Sequence, residues 1–203
     1  FLTGEMGTEY TIASTSQLLN PYTRDWDREL LEKLGIPTAM LGEVKLPGTV
    51  RGTLLPDIAR ECGVDRIPVI AVGGHDTASA VAAVPARDSD FAYISSGTWS
   101  LLGTELPAPV TSEIALNAGF SNEGGYNGTT RFLKNIMGMW MLQCIHKEID
   151  KAHSFAEMAD MAGKSTYPAY IDAADNRFLA PQSMLEEVKA ALRDAGAPAP
   201  ACL

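Results

Sequence analysis

Two short stretches of this chain carry residue types that can do chemistry together. In Val69-Ile70-Ala71-Val72-Gly73-Gly74-His75-Asp76-Thr77-Ala78-Ser79-Ala80, an apolar, β-branched run empties into two glycines and then presents one acid at the mouth of an alanine-rich helix. A strand-to-helix corner of this kind holds the Asp76 carboxylate in a fixed orientation, as a general base requires. In Tyr93-Ile94-Ser95-Ser96-Gly97-Thr98-Trp99-Ser100, a second strand ends in a Ser-Ser-Gly-Thr turn. Its hydroxyls and backbone N–H groups suit an anionic phosphate oxygen. A base beside a phosphate-binding turn is a constellation for phosphoryl transfer.

Each of these residues also has a plainer reading. Asp76 is equally suited to cap the helix that follows it. The two glycines before it favour a ligand, because they let one approach the backbone closely. His75 fits a hydrogen-bonded structural side chain, and with three histidines and no paired metal-ligand spacing no zinc site is expected. Asn122-Glu123-Gly124-Gly125 reads as a hairpin turn, Arg131 and Lys134 as solvated cations, and Met137, Met139, Trp140 and Met141 as core. Gly163-Lys164-Ser165 has the ending of a nucleotide-binding P-loop, but position 158 is Met158 where that loop needs glycine, and a helix precedes it instead of a strand. It is read as a helix end.

The elements that must position these residues follow from periodicity and punctuation. Residues 14–19 read as a short helix closed by Asn20-Pro21. Asp25 or Asp27 caps a helix through residues 29–34 that stops at Gly35. Pro56 opens a short helix that Gly63 ends. Residues 67–72 are the best strand in the chain, apolar enough to be buried on both faces. Residues 77–84 form the next helix, stopped by Pro85. A polar link, Ala86-Arg87-Asp88-Ser89-Asp90, marks the candidate domain boundary. Strands are expected over residues 91–95 and 100–103, then a loop with Pro107 and Pro109, then a strand, glycine turn and returning strand around 119–126. Residues 133–149 give the strongest helix, with an apolar stripe at Leu133, Ile136, Met137, Trp140 and Cys144. That helix would carry Asn135 and Gln143 roughly on one side. Ser154 with Glu157 and Ser183 with Glu186 read as two capping boxes.

Composition excludes several classes. The 203 residues are 46% hydrophobic and 20% charged, which is enough to bury a normal core. A formal net charge of −9 argues against a binder of the nucleic-acid backbone. Cys62, Cys144 and Cys202 have unrelated spacings, so a reducing, cytoplasmic setting is expected. No stretch has the length of a membrane span and no signal peptide is visible.

Taken together, Gly74-His75-Asp76-Thr77-Ala78-Ser79-Ala80, Ser95-Ser96-Gly97-Thr98-Trp99-Ser100, Asn122-Glu123-Gly124-Gly125 and Leu133-Lys134-Asn135-Ile136-Met137-Gly138 resemble the FGGY carbohydrate kinases of the actin-like ATPase superfamily. Within that family they resemble the branch that phosphorylates L-rhamnulose. Thr11-Ile12-Ala13-Ser14-Thr15-Ser16-Gln17-Leu18-Leu19 and Asp25-Trp26-Asp27 are similar to the same branch, and the likeness runs through Gln143 and more loosely to Asp175-Asn176-Arg177-Phe178.

The resemblance implies an α/β, actin-like and ribonuclease H-like two-lobe kinase with ATP and sugar in the cleft between lobes. Residues 1–87 would be the C-terminal part of the first lobe and residues 88–203 the N-terminal part of the second. It implies Asp76 as catalytic base, His75, Thr77 and Asn135 as sugar contacts, and Thr98 and Gln143 as ATP contacts. Mg2+ would accompany ATP, and no residue of this stretch is assigned to the metal. The family's first phosphate hairpin and its adenosine-binding segment are not in this stretch, so the rest of both lobes is expected as partner and the chain is expected to be inactive alone. No nucleic acid or membrane partner is implied. The alternatives are a kinase for another ketose or deoxy sugar, and a non-catalytic actin-like sugar-binding module.

Overall fold

The computed structural model describes residues 1–97 and 99–198, so Thr98 and the terminal residues 199–203, Cys202 among them, lie outside the described residues. The chain packs as two compact units. The first contains Phe1–Ser95 and Leu102–Lys134, and the second contains Ser96–Leu101 and the chain from Asn135 on.

In the first unit, β1 (Thr8–Glu9) leads directly into α1 (Tyr10–Ser14), and a short antiparallel pair, β2 (Leu19–Asn20) and β3 (Asp25–Trp26), precedes α2 (Arg28–Lys33). The helix expected over residues 14–19 is therefore displaced. The Glu9 side chain caps a helix that starts four residues earlier, and Leu19 pairs with Trp26 as a strand. Asp27 caps α2 through the Leu30 N–H, as one of the two expected acids. β4 (Val44–Lys45) runs parallel to β1. β5 (Val50–Thr53) is followed by α3 (Pro56–Cys62), with proline in its first turn and a left-handed Gly63 at its end, both as expected.

β6 (Pro68–Ile70) is shorter than the strand read over residues 67–72, and it is not buried on both faces. It pairs antiparallel with β5 alone, leaving Ile67, Ile70 and Val72 at 50, 46 and 70% exposure. An apolar run reports the capacity to be covered; it does not supply the second neighbour or the covering helix. α4 (Asp76–Ala82) follows, burying Thr77, Ala78 and Val81 on one side, with Val81 three and four residues beyond the other two as a helical face requires.

A four-stranded sheet then runs in the order β7-β8-β10-β9, from β7 (Ala92–Ser96), β8 (Ser100–Leu106), β9 (Ser121–Gly124) and β10 (Thr130–Ile136). The expected loop after Leu106 also contains α5 (Glu113–Asn117), capped by the Ser112 hydroxyl. β9 and β10 are antiparallel, in register from Gly124↔Thr130 to Ser121↔Leu133. Gly124 lies inside that register, and the turn itself falls at 126–128. On one side of β10, Phe132 stacks on Phe120 at 4.5 Å between ring centres, and Lys134 stands over the same Phe120 ring.

The largest correction lies here. Residues 133–136, read as the start of the long helix, are the end of β10, and the helix is only α6 (Met139–Glu148). Leu133, Lys134, Asn135 and Ile136 alternate between faces as a strand does, and Gly138 at φ +52°, ψ −132° separates strand from helix. Asn135 and Gln143 thus belong to different elements and share no helix face.

In the second unit, Met137, Phe178 and Met184 form the buried centre, packed by Trp140, Met141, Cys144, Ile145 and Val188. Complete burial of Phe178 and Met184 is worth roughly 1.5–3 kcal/mol each. α7 (Phe155–Lys164) carries the full expected capping box, with Ser154 and Glu157 each bonding the other's backbone N–H. It ends in Gly163-Lys164-Ser165, which is a helix terminus as expected. α8 (Met184–Asp194) is capped by Ser183 and, unexpectedly, by Glu148 of α6. The Glu148 carboxylate accepts from the Ser183 hydroxyl and from the Met184 and Leu185 N–H groups.

Candidate functional site

The corner between β6 and α4 is built from backbone hydrogen bonds that seek partners on both sides. Ala71 exchanges bonds with Gly48 and Thr49, and the Ser79 hydroxyl reaches back from α4 to the Gly73 carbonyl at 2.7 Å. His75 is the N-cap and Asp76 the first helical residue, so the cap expected of Asp76 is shared with its neighbour. The Thr77 N–H is the donor both want, standing 2.6 Å from Asp76 Oδ1 and 3.0 Å from His75 Nδ1.

That shared donor assigns the tautomer of His75. Nδ1 accepts from Thr77 N–H, so it carries the lone pair and the ring hydrogen belongs on Nε2. The 3.1 Å separation of Nδ1 and Asp76 Oδ1 is then two acceptors sharing one donor, not an ion pair of the neutral ring. Nε2 faces Glu123 Oε2 at 3.7 Å, beyond hydrogen-bond reach.

The Asp76 side chain is 99% exposed. The hydrogen bond from Thr77 N–H holds its carboxyl below the ordinary aspartate value. It is therefore ionised at neutral pH, facing solvent, and able to accept a proton. Thr77 is buried, and its hydroxyl lies 3.4 Å from Asp76 Oδ1.

The space a side chain would take at the two glycines is filled by protein, while Gly74 itself stays exposed. A Cβ at Gly73 would lie 2.9 Å from the Ser79 hydroxyl, and one at Gly74 would lie 2.9 Å from the Glu9 carboxylate. Glu9 is the residue that sequence reasoning missed. Its Oε2 accepts from Gly74 N–H at 2.8 Å while also capping α1, and the buried Thr11 hydroxyl accepts from His75 N–H at 3.1 Å. A Glu before a Thr at a helix start is a capping signal, but its reach to a residue 65 positions away is a tertiary fact.

Behind His75 lies a second unanticipated group. Arg131, expected in solvent, is fully buried. Its Nη2 donates to Glu123 Oε2 at 2.7 Å and its Nε to the Gly124 carbonyl at 3.0 Å. Glu123 and Arg131 are direct partners across the β9–β10 register, so strand pairing would have exposed the pair had residues 130–136 been read as a strand. Burial pushes the nearby Tyr93 phenol up, and the charge of Arg131 draws it partway back.

His75, Asp76 and Thr77 are thus brought together in the first unit. Asn135 and Gln143 lie in the second. Asn135, exposed at the end of β10, lines a cleft with Trp99, Met137, Ala174, Asn176 and Leu179. Trp99 and Trp140 stack there with ring centres 6.3 Å apart. Gln143 is half-buried on α6 and has a partner. Thr98 falls outside the described residues. No group of three or more His, Cys, Asp or Glu side chains able to hold a metal ion occurs among the described residues, and none of their helices is long and apolar enough to cross a membrane.

Comparison with known proteins bears directly on this geometry. Residues 1–83 match the N-terminal domain, and residues 92–199 the C-terminal domain, of the FGGY family of carbohydrate kinases. The chain is 45% identical over 189 residues to the rhamnulokinase of Oceanobacillus iheyensis, covering 93% of this chain and 40% of that protein. It is 46% identical over 199 residues to the rhamnulokinase of Klebsiella pneumoniae subsp. pneumoniae, covering 98% of this chain and 40% of that one. It therefore spans about 40% of the length of these curated relatives. Among solved structures, a ligand-bound xylulose kinase from Lactobacillus acidophilus superposes with a TM-score of 0.65 at 22% identity, over 82% of this chain and 34% of that one. Over the part it spans, the chain has the mixed α/β fold of these sugar kinases, and it belongs to the FGGY family of carbohydrate kinases.

Proposed function

We propose that the protein carrying this chain transfers the γ-phosphoryl group of ATP to the 1-hydroxyl of L-rhamnulose, giving L-rhamnulose 1-phosphate and ADP. Asp76 is the base: the sugar C1 oxygen forms the new P–O bond, the bond from the γ-phosphorus to the β,γ-bridging oxygen breaks, and the hydroxyl proton passes to the Asp76 carboxylate. The observation that carries this reading is an aspartate held ionised and fully solvent-facing on a corner whose backbone is tied from both sides. Phosphoryl transfer asks the protein chiefly for positioning and an oriented nucleophile, and a low basicity suffices because the proton leaves late in a loose transition state. The likeness to two rhamnulokinases at 45 and 46% identity supports the choice of sugar.

In this reading His75, Thr77 and Asn135 contact the sugar, while Thr98 and Gln143 contact ATP. Mg2+ accompanies the nucleotide in kinases of this type, but the acids among the described residues do not form a cluster that fits it. No step is assigned to the metal. The lobe boundary falls at residues 87/88, a division supported by family matches that end at 83 and resume at 92. The remaining parts of both lobes complete the site, and the protein works in the cytoplasm.

The test is ADP release by the full-length protein with Mg-ATP and a panel of ketoses. Preference for L-rhamnulose is expected, with Asp76→Asn losing turnover while sugar affinity, read by calorimetry, is kept. Turnover retained by Asp76→Asn removes the base assignment. Preference for another sugar overturns the substrate, and inactivity on all of them leaves the binding module.

A further inference from the structure

We propose that Glu9 and Thr11 are positioning residues for Asp76: they grip the two consecutive amides, Gly74 N–H and His75 N–H, that precede the base and so set the direction in which its carboxylate points. The inference rests on Asp76 being the base. Its ground is an asymmetry in how the corner is held.

Among the described residues, the Asp76 side chain has partners only in its own turn, Thr77 and His75. Nothing distant touches it, so its aim is inherited from the backbone at residues 74–76. That backbone is fixed from α1. Glu9 Oε1 accepts from Thr11 N–H at 2.8 Å, and Oε2 accepts from the Thr11 hydroxyl at 2.6 Å, Ile12 N–H at 3.2 Å and Gly74 N–H at 2.8 Å. The Thr11 hydroxyl gives its hydrogen to Glu9, which leaves only lone pairs toward His75 N–H. The chain of polarity therefore has one direction. A carboxylate orders a hydroxyl, and the two acceptors together capture two successive amides.

The arrangement is demanding in the way positioning shells are. Thr11 is fully buried, so a hydroxyl there is kept for bonding. Gly74 is needed because a side chain would lie 2.9 Å from the very oxygen that accepts its N–H. A cap for a five-residue helix needs neither the glycine nor the second amide.

The experiment uses the full-length kinase with Thr11→Val, which keeps shape and removes the hydroxyl, Thr11→Ser, which restores it, and Glu9→Gln, which leaves one acceptor oxygen where two are used. Rates are expressed per folded molecule, and sugar affinity is measured separately by calorimetry. The expected result is a fall in kcat of about 10- to 100-fold for Thr11→Val and Glu9→Gln, the scale of a misplacement near 1 Å. The ATP KM should stay within about twofold, and Thr11→Ser should recover most of kcat. A kcat per folded molecule within about twofold of wild type for both variants, with only thermal stability lowered, overturns the proposal. If Thr11→Val does not fold, Glu9→Gln at its half-buried, solvent-reachable carboxylate decides by the same criteria. Wild-type enzyme inactive on every ketose would instead remove the base assignment, and this inference with it.

Discussion

Gly138 joins β10 to α6 at φ +52°, ψ −132°, a conformation that L side chains rarely adopt. An added Cβ would run into the Ser100 hydroxyl and come within 2.9 Å of the Ser100 backbone nitrogen, which cannot rotate away as a side chain can. Holding alanine in that conformation costs about 1–3 kcal/mol, and the forced contact adds about 1–3 more. Gly138→Ala should thus destabilise its unit by roughly 2–6 kcal/mol. At a urea dependence of about 2 kcal/mol per molar, the unfolding midpoint should fall by about 1–3 M. The stacked Trp99–Trp140 pair, in the same unit, makes tryptophan fluorescence the natural probe. Gly163→Ala is the matched control: that glycine lies within α7 and an added Cβ meets nothing within 4 Å. It should stabilise by about 0.5–1 kcal/mol. A midpoint for Gly138→Ala equal to that of wild type would refute the argument that strand and helix are separated here by a backbone only glycine tolerates.

Further expectations concern charge. The Asp76 carboxyl is held below the ordinary aspartate value, so its ionised form predominates until the pH drops through that lowered value; the pH–rate profile of the full-length enzyme should show no acid limb from Asp76 between about pH 5 and 8, and one found there contradicts its geometry. Arg131→Met leaves the Glu123 carboxylate without its partner and should cost about 3–5 kcal/mol in urea unfolding, whereas Arg131→Met with Glu123→Leu should recover much of that, because an apolar pair replaces a buried ionic one; a double variant no better than the single removes the pairing argument. For Glu148, burial opposes ionisation but is outweighed by bonds from Met184 N–H, the Ser183 hydroxyl and Leu185 N–H, leaving its carboxyl below the ordinary glutamate value. A lowered folded value means stability present above the unfolded value and lost as pH falls through the folded one, so Glu148→Ala should cost about 1 kcal/mol near neutrality and nothing in strong acid, as pH-dependent melts would read.

Local chemistry was the legible part of this chain. Asp27, Pro56, Gly63, Ser154 and Glu157 announce their helix ends because a cap is settled by residues within one turn of each other. The acid corner and its neighbours were legible for the same reason. Residues 133–136 were not. Their apolar spacing is compatible with a helix, and only pairing within the sheet, between β8 and β9, makes them a strand. Arg131 was missed with them, since without a strand over 130–136 it has no cross-strand acid to find. Gly74 holds a tertiary contact that its neighbours in sequence do not announce. The space a side chain would take there is filled by a carboxylate from 65 residues upstream.

Glu148 is a single side chain that fastens the start of α8 to the end of α6 across 36 positions of sequence. Between the two anchors runs α7, which buries no residue of its own. Lengthening the exposed link at 151–153 would touch neither the clasp nor the centre formed by Met137, Phe178 and Met184. That link is thus open ground for evolution or engineering: a spot where a loop, a tag or a whole inserted domain could be grafted while α6 and α8 stay buckled together.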